Sequence, residues 1–173
     1  GIDAYSLAPM QAGMWFHAAQ GLQGVDVQQV ICELPGPMHP EHCRQAWQDV
    51  VRRHEILRAG FETLPSGEPR QVIHPPESFA IPFLTIPHPS DGAARRGLLA
   101  YLESDRIAGF PRWHEPLLRV ALIHSASGRN WVVLTYHHLL LDARSLALLF
   151  REVFDRHDDL VAGRSPALGV GPA

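Results

Sequence analysis

Apolar residues along the chain recur at three- to four-residue intervals in some stretches and run together or alternate in others, so helices and strands are interleaved. Helical spacing appears four times. Met10, Met14, Trp15 and Ala18 predict a helix over 7–20, and Cys43, Ala46, Trp47, Val50 and Val51 one over 39–53. Leu98, Leu99, Leu102 and Ile107 give the stripe of a helix over 91–108. A last stripe, Leu146, Leu149, Phe150 and Val153, covers 143–156. Pro40 and Glu41 suit the first turn of the second helix, where a missing N–H costs nothing and negative charge is favoured.

Strand patterns fill the intervals. One strand is expected over 25–34, and a hairpin over 56–62 and 70–74 turns at Pro65–Gly67. A second hairpin pairs 116–124 with 130–136 through Ser125–Arg129. Between 75 and 89 five prolines rule out an interior helix and leave an irregular or edge-strand path through 81–86. Phe79, Ile81, Phe83, Leu84 and Ile86 make that segment too apolar for a solvated linker. The pattern is that of a sheet with helices packed on it, of α/β or α+β type and two layers.

Length and composition narrow the reading. With 173 residues and 46% hydrophobic content, a single core is expected, with one unit over 1–163 and a Gly- and Pro-rich connection or frayed tail over 164–173. A formal charge of -3 gives no electrostatic reason to expect nucleic acid or an anionic membrane as partner. No apolar run approaches the roughly 20 residues that span a bilayer, and the first residues lack a signal peptide's basic-then-apolar order, so the cytoplasm is the expected location. Cys32 and Cys43 are expected as two unpaired, reduced thiols.

The candidate chemistry lies where the last strand meets the last helix. Trp131 to Tyr136 is a buried-strand pattern; His137, His138 and, four residues on, Asp142 follow it directly. A strand end can hold an imidazole rigidly while the turn leaves it open to a substrate, and a histidine exchanges protons near neutral pH. The plainer alternative is two polar residues closing a strand with Asp142 as a helix N-cap. Arg52, Arg53, His54 and Glu55 form a charge cluster at the end of the second helix, which fits a solvated terminus favoured by the helix dipole. The other histidines are scattered in sequence over loops and element ends, with no paired-cysteine or His-Glu-x-x-His spacing, and no metal site is expected. Ser145 lies in no nucleophile elbow.

His137, His138, Asp142, Ala143 and Ser145 together resemble the His-His-x-x-x-Asp-Gly motif of condensation domains from nonribosomal peptide synthetases. Ser6 to His17 is similar to that family's opening motif, and Arg53 to Phe61 to its second; Gly109 to Arg119 is a weaker match before the last hairpin. The resemblance implies a chloramphenicol-acetyltransferase-like lobe, the first of two between which an active-site tunnel runs. It further implies amide bond formation between donor and acceptor thioesters carried on the phosphopantetheine arms of carrier proteins, with no cofactor bound by the lobe itself. Carrier protein domains and a C-terminal lobe are the partners implied. His138 would be the catalytic residue, with His137 and Asp142 supporting the turn and Arg53 or Arg58 as the cation that keeps Asp142 charged. Ala143 departs from the family's glycine; at positive φ it would cost about 1 kcal/mol or more. The alternatives are a stand-alone His-x-x-x-Asp acyltransferase, an epimerisation-type domain, and a non-catalytic carrier-protein docking module.

Overall fold

The computed structural model describes residues 2–6, 15–20, 27–34, 38–138, 140 and 143–164. Six strands form one mixed sheet in the order β1-β2-β3-β8-β7-β6: β1 Ile2–Ser6, β2 Trp15–Gln20, β3 Val27–Leu34, β6 Phe83–His88, β7 Leu118–Ser125 and β8 Asn130–His137. Neighbours are antiparallel except β6 and β7, which are parallel. A separate hairpin is made by β4 (Ala59–Thr63) and β5 (Pro69–Ile73). The helices are α1 (Pro40–Arg53), α2 (Asp91–Ala108) and α3 (Ala143–Ala162).

The period of two along each strand divides the sheet into two faces. Val30, Cys32, Leu118, Val120, Leu122, Val132, Leu134 and Tyr136 face α1 and α3, whose Trp47 and Phe150 rings meet edge to face at 5.4 Å. Ile31, Ala121, Ile123, Trp131 and Val133 face α2. The expected mixed α/β class is therefore present, and α2 adds a layer on the side opposite α1 and α3.

Several expectations shift. Trp15–Gln20, read from its spacing as the end of a helix, is β2 and pairs with β3 from Trp15↔Glu33 to Gln20↔Gln28; ladder bonds to an open strand edge and adjacent aromatics override the helical period. The rest of that expected helix lies outside the described residues. The segment expected to start a strand at Ile56 is first a 3₁₀ turn, Glu55–Arg58. On α2 the buried stripe is Ala94, Leu102 and Asp105, while Leu99 and Ile107 are exposed at 68% and 76%. The proline-rich segment is part of the core, as its apolar residues required. Phe79 and Ile81 are buried, and Gln48 of α1 holds them through Nε2 to the Phe79 carbonyl (2.7 Å) and Oε1 from the Ile81 N–H (3.0 Å). Cys32 and Cys43 are free and buried, with burial pushing both thiols up to about 12.

Candidate active site

The β7–β8 hairpin sets the position of the histidine pair. Gly128 takes φ 97° in its turn, donating to the Ser125 carbonyl, while β8 pairs with β7 on one side and with β3 on the other. Every residue of β8 is buried, so the strand is a fixed rod ending at His137. The His137 N–H donates to the Leu117 carbonyl at 2.9 Å, and its own carbonyl accepts from Leu140 N at 2.9 Å. His138 is the first residue beyond the strand, in the turn.

The two imidazoles have different surroundings. His137 is 5% exposed and continues the α2 face of β8, with its ring 6.4 Å from Phe110 and 5.5 Å from Trp113. His138 is exposed, and its ring centroid is 5.5 Å from that of His137 at 44°. One ring is packed and the other is presented to solvent, as a support and a reactive group would be.

The loop carrying Trp113 is pinned to the small hairpin. Phe61 N–H donates to the Trp113 carbonyl at 2.7 Å and His74 Nε2–H to the His114 carbonyl at 2.7 Å. Gly60 permits this approach: a Cβ there would lie 2.9 Å from the His114 oxygen. Arg58 emerges beside the same hairpin. It is 6% exposed and donates through an Nη to the His74 carbonyl, and its buried Nε has no hydrogen-bond partner among the described residues. Arg53, the other candidate cation, is exposed at the end of α1.

Asp142 lies outside the described residues. Ala143 opens α3 in helical backbone, and no described residue other than glycine has positive φ, so the conformational penalty considered for alanine does not arise at 143.

Two features were not legible in the sequence. Asp105 of α2 is buried and accepts from Gln29 Nε2 (2.8 Å), Thr135 Oγ1 (2.5 Å), Tyr101 OH (3.2 Å) and Arg119 Nε (2.5 Å). The weak match over Gly109 to Arg119 was the only signal pointing there. Second, His39, His42 and His157, scattered in sequence, come together between α1 and α3 with ring centroids 5.5 to 6.5 Å apart. Among the described residues no group of three or more His, Cys, Asp or Glu is arranged to hold a metal ion. Nor is any described helix long and apolar enough to cross a membrane.

A mixed sheet with helices on both faces, ending in one packed and one exposed imidazole, defines an α/β lobe with a histidine pair at a strand end. Residues 2–172 match the family described as Condensation domain, and the chain belongs to that family. It is 35% identical over 167 residues to bacitracin synthase 1 of Bacillus licheniformis, covering 95% of this chain and 3% of that protein. To bacitracin synthase 3 of the same organism it is 32% identical over 165 residues, again covering 95% of this chain and 3% of that one. Among solved structures, the first condensation domain of the CDA synthetase superposes with a TM-score of 0.73 at 23% identity, over 82% of this chain and 36% of that one. The epimerization domain from the third module of tyrocidine synthetase B gives 0.73 at 20% identity, over 83% and 32%. The chain thus spans about a third of a solved condensation domain and a small fraction of the curated relatives.

Proposed function

We propose that this chain is the N-terminal lobe of a peptide-synthetase condensation domain that joins a donor acyl or peptidyl thioester to the amine of an acceptor aminoacyl thioester, both on carrier-protein phosphopantetheine. The observation that carries the reading is the exposed His138 ring on the packed His137, at the end of a fully buried strand. The acceptor amine nitrogen attacks the donor carbonyl carbon, a C–N bond forms, the C–S bond breaks, and the departing thiolate takes up the proton that the amine loses, giving the donor arm's thiol. His138 either accepts the proton the amine loses or orients an already neutral amine by a hydrogen bond. A C-terminal lobe closes the other side of the cleft, and the lobe itself binds no cofactor.

His137 supports the turn. Arg58, buried with an open donor, or Arg53, at the end of α1, is the cation that keeps Asp142 charged. A guanidinium so placed holds a charge and takes no part in proton transfer.

The test is intact-mass measurement on the complete polypeptide carrying this chain, incubated with a donor-loaded and an acceptor-loaded carrier. Gain of the donor acyl mass on the acceptor carrier is expected. Chiral analysis of the amino acid released from the carrier, run beside the mass measurement, separates the next case: inversion at the α-carbon with no gain in mass would mark an epimerisation domain. Carrier binding with neither product would mark a docking module.

A further inference from the structure

Arg119 commits its guanidinium to the end of α2. Nε meets the Asp105 carboxylate at 2.5 Å, while the two Nη groups donate to the Asp105 carbonyl (2.8 Å) and the Gly109 carbonyl (2.6 Å). Two of these acceptors are main-chain oxygens where the helix stops, and a planar fork fits them as an ammonium would not. Asp105 is itself fixed from three strands and its own helix by Gln29, Thr135, Arg119 and Tyr101. Burial beside that carboxylate raises the Tyr101 phenol, which keeps it a neutral donor. The direction in which the chain leaves α2 at Gly109, φ 58°, is therefore set by a multiply bonded charge pair whose carboxylate is buried and whose guanidinium is half-buried.

The next residue is Phe110. Its ring lies 4.5 Å from the Arg119 Cζ and 6.4 Å from the His137 ring, at 63°. Both separations are those of favourable cation–π and edge-to-face contacts. The Trp113 ring also contacts His137, at 5.5 Å. A continuous path of contacts thus runs from Asp105 through Arg119 and Phe110 to His137, and from His137 to the exposed ring of His138.

We propose that Arg119 is a positioning residue for the condensation reaction, acting through Phe110 to fix the plane of His137 and, through it, the aim of the His138 imidazole. This rests on the assignment of His138 above. Neither Arg119 nor Phe110 touches the reacting atoms.

The experiment measures kcat and KM for acceptor-loaded carrier with the complete polypeptide, alongside thermal melting, for Phe110→Leu, Phe110→Tyr, Arg119→Lys and His138→Ala. Phe110→Leu leaves the Arg119–Asp105 pair in place and removes only the aromatic bridge; kcat is expected to fall about tenfold without a matching change in KM. Phe110→Tyr, which keeps the ring, restores the wild-type kcat. Arg119→Lys, which keeps the charge and loses the fork, lowers kcat in the same direction and covers the case in which Phe110→Leu does not fold. Wild-type kcat in both Phe110→Leu and Arg119→Lys, with His138→Ala inactive, would overturn the positioning role and leave the site assignment standing. So would a Phe110→Tyr as slow as Phe110→Leu. A fully active His138→Ala would instead overturn the site assignment, and the positioning role with it.

Discussion

The two faces of the central sheet do different work. Toward α1 and α3 the contacts are almost wholly apolar, centred on Trp47, Phe150, Leu118, Leu122 and Leu134, all fully buried. Toward α2 the apolar cluster is smaller, and beside it the buried Asp105, Gln29 and Thr135 form a polar network with the half-buried Arg119. Burial of hydrocarbon is non-directional and proportional to area, whereas a bonded carboxylate has to be met at set distances and angles. The first face therefore supplies most of the stability and the second fixes geometry. The histidine pair lies at the end of the strand that belongs to both.

The sharpest way to break this comparison is to cut each face separately. Phe150→Ala, in the packed α1–α3 layer, is expected to lower stability by about 3–5 kcal/mol, read by denaturant unfolding. On the same helix Leu148, 61% exposed, should tolerate alanine within about 0.5 kcal/mol. A small effect at Phe150 would mean that the apolar face is not where the stability resides.

A smaller effect sharpens the polar side. If Arg58 and Asp142 are paired, Asp142→Asn and Arg58→Met should each cost about 1–3 kcal/mol in thermal or chemical unfolding. The double variant should cost little more than either alone, because the same interaction is lost. Additive losses would remove the pair from the account.

The smallest effect concerns pH and lies on the apolar side. His157 accepts the His39 N–H at Nε2 (3.2 Å), contacts Asp158 at 3.3 Å through Nδ1, and faces the rings of His39, which precedes α1, and His42, in its first turn. Burial lowers its pKa below the usual 6.5, partly offset by Asp158, with His39 and His42 lowering it further. The unfolded chain then binds the proton more readily than the folded one, so this contribution is intact above 6.5 and is lost as pH falls through the folded pKa. Melting temperature should drop on acidification from neutral, and His157→Gln, whose side-chain oxygen can still accept the His39 N–H, should flatten the drop. Parallel curves for the two proteins would refute the coupling.

What was legible in the sequence follows from how local each signal is. α1, α2 and the β7–β8 hairpin lie within a few residues of their expected limits, because period, a proline at a first turn and a Gly-containing turn are properties of neighbours. The histidine pair was legible for the same reason: a strand pattern ends and two imidazoles follow. β2 was not, since its residues carry a helical spacing and only the edge of β3 makes a strand of them. Nor was the Asp105 network, whose donors come from positions as distant as Gln29, 76 residues away. A charged residue on the buried stripe of a helix reads as an exposed one until its partners are brought to it. The gathering of His39, His42 and His157 likewise needed the packing of α1 on α3.

The central claim is that one imidazole is held so that the other can act. Its most direct test is single-turnover acyl transfer between loaded carriers by the His138→Ala variant of the complete polypeptide, with melting temperature measured in parallel. Loss of transfer by about 100-fold or more at an unchanged melting temperature is the expected result. Transfer at the wild-type rate would contradict it.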